Sequence, residues 1–174
     1  MLKKIKQEDM HQSMRGYFAG YLYNAMIENE KIWLVVADLG YGIFDKIRDD
    51  FPDRFLNTGA SEQAAAGICV GLALENRKPF FYSITTFLLY RCFETIRNYI
   101  NHEKIPVRLV GSGRDKDYAH DGFSHWSEDT FDLFDRSPLF CNICNYWPDT
   151  KEEIPELVKK MVKLDKPQFI SLRR

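Results

Sequence analysis

Short runs of apolar residues alternate along the chain with segments in which apolar residues recur every three or four positions. The first such segment, from about Met14 to Glu28, follows Ser13, a residue type that caps helix N-termini. The next run, at 31–37, is short and continuously apolar, which is typical of a strand covered on both faces, and Asp38 ends it. The pattern therefore predicts a helix followed by a buried strand.

The same alternation continues to the end of the chain. It predicts further strands near 54–57, 79–84, 107–110, 139–145 and 168–172, and further helices near 44–49, 62–74, 85–101 and 151–164. Strands that alternate with helices indicate a parallel sheet covered by helices. We therefore predict one α/β domain over 1–174, with three layers, a mostly parallel sheet and helices on both faces.

The helix that begins at Glu62 stands out because the ten residues from Ala64 to Ala73 are apolar or small on every face. A helix of this kind is typically enclosed in a core or an interface. Ser61 is placed to cap it, and Gly67 and Gly71 share a face, which indicates close approach of another element. Glu62 is therefore expected where water is scarce, and a simple capping role in the first turn is the alternative.

Composition limits the function classes. With 24 basic and 25 acidic residues, nothing indicates binding to nucleic acid or to a charged membrane surface. The N-terminus lacks the apolar core of a secretory signal, and the longest apolar run, 64–74, is shorter than the roughly 20 residues that span a bilayer. We therefore expect a cytoplasmic protein with reduced cysteines.

Cys141 and Cys144 have the spacing of a zinc half-site, but no second pair accompanies them, and their apolar neighbours favour a buried strand.

Candidate chemistry lies where the predicted strands end, because ligands of parallel sheets gather outside the carboxyl ends of the strands. These positions are Asp38, Glu62, the segment 83–87 and the loop 111–127, which holds His120 and His125. Motifs of phosphate loops, dinucleotide sites, serine hydrolases and zinc proteases are absent from the sequence. From spacing alone, Phe87 and Tyr90 fit core positions, and the two histidines fit either function or ordinary loop polarity.

Several short segments are informative because of the order in which they follow one another along the chain. They are Met14-Arg15, 37–39, 57–63, 67–73 with Pro79-Phe80, 86–88 with 94–97, 121–125, Glu128-Asp129 and 167–173. Their order and spacing resemble the pyrimidine-binding domain of transketolases and related thiamine diphosphate enzymes. The resemblance extends over nearly the whole chain and implies the fold of that domain.

The resemblance also implies residue roles at the cofactor. Glu62 matches the glutamate that hydrogen-bonds the ring nitrogen of the aminopyrimidine, which favours the tautomer whose exocyclic nitrogen can remove the thiazolium proton. Phe87 and Tyr90 match aromatic positions around the pyrimidine, and Asp38 matches a carboxylate near the cofactor. Ile84 stands where transketolases usually have another stacking phenylalanine.

Substrate roles follow from the same resemblance. His125 matches a histidine of the active-site funnel, Arg15 matches an arginine that binds the sugar phosphate, and His120 is a further candidate on the same loop. Gly42 stands where a serine often helps to hold phosphate, and Gly113 stands near the place of a further substrate histidine. The binding of the donor and acceptor sugars is therefore expected to differ from that in typical transketolases.

The segment that binds diphosphate and metal in these enzymes is missing from the sequence, as is the third domain. We therefore expect the smaller subunit of a split transketolase, an enzyme that transfers a two-carbon ketol unit between anionic sugars and is active only with a partner subunit. Thiamine diphosphate would be shared with that partner, which would bind Mg²⁺ or Ca²⁺, in an α2β2 hetero-oligomer. Two alternatives stay open: a beta-type subunit of a 2-oxo acid dehydrogenase or decarboxylase, and a non-catalytic regulatory or binding subunit.

Overall fold

The computed structural model describes residues 2–136 and 138–174. Its helices are α1 (Met14–Glu28), α2 (Asp45–Asp50), α3 (Glu62–Leu74), α4 (Phe93–Thr95), α5 (Thr130–Asp135) and α6 (Ile154–Lys163). Its strands are β1 (Ile32–Val36), β2 (Phe55–Asn57), β3 (Lys78–Ile84), β4 (Arg108–Ser112), β5 (Cys144–Tyr146) and β6 (Gln168–Leu172). This order of elements confirms the predicted α/β class. None of the helices in the described ranges is long and apolar enough to cross a membrane.

Within the described residues, six strands form one sheet in the order β2-β1-β3-β4-β6-β5, and each neighbouring pair is parallel. The predicted parallel sheet is therefore confirmed. The chain adds β2 on one side of β1 and then β3 on the other side, so the strand order reverses between β1 and β3. In sheets of this kind a crevice opens at the carboxyl ends of the strands where the order reverses.

The sheet separates two hydrophobic cores, because successive strand residues point to opposite faces. Leu34 and Val36 of β1 lie in the core that contains residues of α1, α2 and α6. Val35 of the same strand lies in the other core, with residues of α3 and of the helical segment that follows β3. The predicted three-layer arrangement follows from this alternation.

The predicted helix cap by Ser13 is confirmed, and the predicted cap by Ser61 is wrong. The Ser13 hydroxyl accepts a hydrogen bond from the Gly16 N–H, as expected for the start of α1. The Ser61 hydroxyl instead donates to the Thr58 carbonyl at 2.7 Å, and Thr85 donates to the Gly113 carbonyl at 2.6 Å. Hydroxyls next to strand ends have backbone carbonyls within reach, and bonding to these competes with capping.

The helix after β3 also departs from the prediction. A continuous helix is expected over 85–101, but the segments Phe87–Arg91 and Ile96–His102 are π-helical and the short α4 lies between them. A π-helix bonds each residue to the fifth along the chain, so its turns are wider, and such turns are frequent at functional sites. The first π-helical segment begins at Phe87, one of the candidate site residues.

The predicted strand 139–145 is wrong over most of its length. Only Cys144–Tyr146 joins the sheet, and Cys141 is exposed. The reason is a competing contact: the backbone N–H of Asn142 bonds to the Asn101 side chain at 2.9 Å, and its side chain bonds to the Asn101 carbonyl at 3.1 Å. Among the described residues, no group of three or more His, Cys, Asp or Glu side chains is placed to hold a metal ion.

α3 is expected to be enclosed in a core or an interface, and the core of this chain encloses only one of its faces. Enclosure of the other face in an interface stays a prediction. Ala65, Ala66 and Cys69 are buried, but the opposite face, which contains Gly67 and Gly71, is exposed. A Cβ atom added at either glycine would meet nothing within 4 Å. One face of α3 therefore packs on the sheet and the other is bare.

Candidate functional site

Glu62 is the first residue of α3 and only 4% of it is exposed. Both of its carboxylate oxygens accept a hydrogen bond from Nη1 of Arg91, each at 2.8 Å. A buried carboxylate is costly unless a charged partner and hydrogen bonds compensate for the lost water. The contact with Arg91 supplies both, and the predicted burial of Glu62 is confirmed.

The Arg91 guanidinium also covers an aromatic ring. Its Cζ atom lies 3.7 Å from the centroid of the Phe87 ring, and the Phe87 ring lies 4.8 Å from that of His125. The Thr86 hydroxyl donates to the Ser124 carbonyl at 2.8 Å, which fixes the turn of His125 against the start of the π-helical segment. The ends of β2 and β3 and the long loop after β4 therefore meet at one place.

Tyr118 connects the other candidate residues to this place. Its hydroxyl lies 3.0 Å from Nη1 of Arg15, which donates to it, and 2.8 Å from the Ser112 hydroxyl. The centroid of its ring lies 6.3 Å from those of both His120 and His125. Gly113 has a φ of 83°, and a Cβ atom there would lie 2.3 Å from the Tyr118 ring. A glycine at this position thus permits the placement of Tyr118.

A continuous set of contacts therefore joins five of the predicted site residues, with Arg91 and Tyr118 as the links. The five are Arg15, Glu62, Phe87, His120 and His125. The remaining three, Asp38, Ile84 and Tyr90, lie at neighbouring positions of the same sheet edge but make other contacts.

Asp38 follows β1 and has a φ of 48°, in the left-handed region that non-glycine residues seldom adopt. Its carboxylate accepts a hydrogen bond from the Tyr41 hydroxyl at 2.5 Å. The Asn57 side chain accepts from the backbone N–H groups of Asp38 and Gly59, each at 3.0 Å. Asn57 thereby ties the end of β1 to the loop that leads into α3.

Ile84 is the last residue of β3 and pairs with Ser112 of β4. Tyr90 is 41% exposed. Partial burial, and then a hydrogen bond to the Asp129 carboxylate, raise the pKa of Tyr90 above its ordinary range. Its hydroxyl is therefore a neutral hydrogen-bond donor at physiological pH.

Two buried thiols lie in the same layer as Glu62. Burial raises the pKa of Cys69, and burial followed by the negative charge of Glu62 raises the pKa of Cys92 to about 12. Both thiols are therefore protonated near neutral pH, where a thiolate would be needed for nucleophilic attack or metal binding. The chemistry of the site consequently rests on its carboxylate, histidine and arginine groups.

Arg91, Tyr118 and Asn57 contact the candidate site residues and were not selected from the sequence. Arg91 follows the predicted aromatic position Tyr90 directly and is a charged residue among Leu88, Leu89 and Cys92, which is a signal that could have drawn attention to it. Its partner Glu62 lies 29 positions away, so the pairing itself depends on the fold.

The arrangement can hold a planar nitrogen-bearing group. Such a group would donate an N–H to the Glu62 carboxylate and pack against the Phe87 ring, as the guanidinium of Arg91 does. Beside it, Arg15 and Arg174 add positive charge: Nη1 of Arg174 lies 3.2 Å from Nε2 of His120. The Asp121 carboxylate, also 3.2 Å from Nε2 of His120, partly offsets the charge of Arg174, so Arg15 is the group placed to attract an anion.

Comparisons with known proteins show the family to which the chain belongs. The family described as "Transketolase, pyrimidine binding domain" matches residues 10–174. A protein of Methanocaldococcus jannaschii named as a transketolase C-terminal section is 30% identical over 122 residues, which are 70% of this chain and 39% of that protein. The 1-deoxy-D-xylulose-5-phosphate synthase of Caldanaerobacter subterraneus subsp. tengcongensis is 32% identical over 168 residues, 93% of this chain and 25% of the synthase.

A solved structure of a split-gene transketolase, an inactive β4 tetramer, has the same fold with a TM-score of 0.80. It is 27% identical in sequence, and the match covers 94% of this chain and 52% of that chain. This chain therefore spans about half, or less, of the length of the proteins it resembles.

Proposed function

Because the chain belongs to the family of transketolase pyrimidine-binding domains, we propose that it is the smaller subunit of a split, thiamine diphosphate-dependent transketolase. The observation that carries this proposal is the buried Glu62 carboxylate beside the Phe87 ring at the edge of the sheet. In this proposal the assembled enzyme transfers a two-carbon ketol unit from a ketose donor to an aldose acceptor.

Glu62 would hydrogen-bond the ring nitrogen of the aminopyrimidine and would share with it a proton that the neutral ring does not carry. Its near-complete burial keeps water from competing for that bond, which strengthens the interaction. Phe87 packs against the ring, with Asp38, Ile84 and Tyr90 bordering the same space. When bound, thiamine diphosphate supplies the nucleophilic carbon that attacks the donor sugar.

His125, His120 and Arg15 serve the sugar substrates. His125 lies against Phe87 and is placed to exchange a proton with a sugar hydroxyl, while Arg15, held by Tyr118, binds a phosphate or another anionic group.

A partner subunit completes the enzyme by binding the diphosphate together with Mg²⁺ or Ca²⁺. The similarity to a split-gene transketolase and to a transketolase C-terminal section supports this division. The bare face of α3 supports it as well, since Leu74 is 67% exposed and Ile68 is 39% exposed. We place the partner on that face, in an α2β2 hetero-oligomer.

A second candidate function comes from the similarity to 1-deoxy-D-xylulose-5-phosphate synthase, which extends over 93% of this chain. In that case the same site would form a 1-deoxyketose phosphate instead of transferring a ketol unit. The position of Glu62 and Phe87 serves either reaction.

The test is reconstitution of the chain with its diphosphate-binding partner, followed by addition of thiamine diphosphate and Mg²⁺. One assay contains pairs of phosphorylated ketoses and aldoses, and a second contains a phosphorylated aldose with a methyl-bearing 2-oxo acid, which can supply the two carbons of a 1-deoxyketose with loss of CO2. The proposal predicts two products, identified by mass spectrometry. One is an aldose with two carbons fewer than the donor ketose, and the other is a ketose with two carbons more than the acceptor aldose. A 1-deoxyketose product would establish the second candidate. If neither product forms, both candidate functions are contradicted.

A further inference from the structure

Arg91 occupies the place that the proposed function assigns to the pyrimidine ring. One nitrogen of its guanidinium bonds to both Glu62 oxygens at 2.8 Å, and its Cζ atom lies 3.7 Å from the centroid of the Phe87 ring. The Arg91 side chain thus occupies both the carboxylate that would bond to the ring nitrogen and the aromatic face that would pack on the ring.

We propose that Arg91 is a displaceable plug of the cofactor site, which must leave Glu62 and Phe87 before a pyrimidine can bind. This inference rests on the proposed function, because it takes the pyrimidine as the competing ligand. A guanidinium and an aminopyrimidine that is protonated on its ring nitrogen are both planar and both donate N–H bonds, so the two groups compete for one carboxylate and one ring face.

The difference in burial between Glu62 and Arg91 explains why Arg91 leaves only when another hydrogen-bond donor binds Glu62. The Glu62 side chain is 5% exposed, whereas that of Arg91 is 48% exposed. Arg91 can therefore regain water when it leaves, but Glu62 cannot. A buried carboxylate that loses its partner is strongly destabilising, so departure of Arg91 is favourable only when another N–H donor takes its place.

The local backbone suits such a movement. Arg91 is the last residue of the first π-helical segment, and the turn at Cys92 separates it from α4. Its long side chain can reach solvent from this position by rotation about its own bonds, with Phe87 held in place by the His125 contact. The site therefore opens by a side-chain exchange that leaves the α3 helix in place.

The consequence is a reduced affinity for the pyrimidine in the free chain. When a ligand can bind only a fraction of the molecules, its apparent dissociation constant rises in inverse proportion to that fraction. A plug that fills the site in nine molecules of ten would thus weaken binding about tenfold.

The test is an NMR titration of the full chain with thiamine, which carries the pyrimidine but lacks the diphosphate that the partner would bind. We expect Arg91→Gln to bind thiamine about tenfold more tightly than the wild type. Arg91→Lys, which keeps the charge but loses the planar fork, is expected to show a smaller gain. Arg97→Gln removes the same charge from an exposed position of the second π-helical segment, where Arg97 bonds to Asn98, and should bind like the wild type.

Equal, weaker or undetectable binding by Arg91→Gln and Arg91→Lys, in proteins whose amide spectra show a folded chain, would overturn the plug. The double variant Glu62→Gln/Arg91→Gln separates this failure from failure of the proposed function. If wild type and Arg91→Gln bind thiamine equally and both lose binding on replacement of Glu62, only the plug is wrong. If no variant binds thiamine, the plug is wrong, and the pyrimidine site is tested separately by ketol transfer in the reconstituted enzyme.

Discussion

Glu62 shows how the fold holds a carboxyl side chain in a nearly buried place. It begins α3, where the positive end of the helix dipole favours an anion, and Arg91 bonds to both of its oxygens. Arg91 in turn lies over Phe87, which contacts His125. Four side chains from three segments of the chain therefore define one small site, and the acid at its base is the residue on which the proposed chemistry depends.

Replacement of Glu62 by glutamine keeps the size of the side chain and removes its capacity to hold a proton for the pyrimidine ring. We expect Glu62→Gln to lower ketol transfer by the reconstituted enzyme by about 100-fold or more, since general acid–base contributions are typically of this size. Assembly with the partner should be unaffected. The measurement is the steady-state rate at saturating cofactor, together with size-exclusion chromatography of the complex.

The matched control is Glu75→Gln, which makes the same change at an exposed position just after α3. It should leave the rate unchanged. Turnover of Glu62→Gln at the wild-type rate would remove Glu62 from the mechanism.

At the scale of elements, the start of α6 depends on a charged cap. Glu153 accepts hydrogen bonds from the backbone N–H groups of Asp149 and Thr150, each at 2.9 Å. The Thr150 N–H, followed by that of Asp149, holds the pKa of Glu153 below its ordinary range. A carboxylate with a lowered folded-state pKa stabilises the fold above its unfolded-state pKa and loses that contribution as pH falls through the folded-state value.

We therefore expect wild type to have a higher free energy of unfolding than Glu153→Gln at pH 7. The difference should shrink as the pH falls below about 4.3, the ordinary pKa of glutamate, because Glu153 becomes protonated. Urea denaturation of both proteins at several pH values measures it. Glu152→Gln, at the exposed neighbouring position, is the control. A difference between wild type and Glu153→Gln that is independent of pH would contradict this account of the cap.

The bare face of α3 gives a second prediction at this scale. Because a side chain at Gly71 meets nothing within 4 Å, Gly71→Gln should fold as well as the wild type, or more stably by up to about 1 kcal/mol. The same side chain should block close approach of the partner and weaken assembly. Sedimentation of the mixed subunits measures assembly, and Lys159→Gln on the exposed side of α6 is the control. Normal assembly of Gly71→Gln would show that this face of α3 does not form the interface with the partner.

Local pattern predicts some of these elements well and others poorly, for physical reasons. The bounds of α1, β1 and β6 follow from residues within a few positions of each other, such as the Ser13 cap and continuous apolar runs. The strand predicted at 139–145 fails because Asn142 bonds to the distant Asn101. A pattern of neighbouring residues does not contain such a contact.

At the scale of the whole molecule, the candidate site illustrates the same limit. Glu62, Phe87 and His125 could be selected through resemblance to a known family, because each lies in a recognisable segment. The links between them could not, since Arg15 meets Tyr118 across 103 positions and Glu62 meets Arg91 across 29. Only the folded chain shows that the selected residues converge and that Arg91 lies between two of them.

The parallel sheet explains why they converge. It brings the ends of β1, β2, β3 and β4 to one edge, and the residues that follow these strands supply Asp38, Glu62, Phe87 and the loop of His125. On the proposed account, this edge holds the pyrimidine half of the cofactor, and a second subunit holds its charged half. The chain alone would then have little affinity for a cofactor that the pair binds firmly.

Calorimetric titration of thiamine diphosphate, with Mg²⁺ present, tests this central claim most directly. The chain alone and the chain reconstituted with its diphosphate-binding partner are titrated under the same conditions. We predict a dissociation constant for the pair that is lower by at least about 100-fold, or about 2.7 kcal/mol of binding free energy. Equally tight binding by the chain alone would contradict the division of the cofactor site between two subunits.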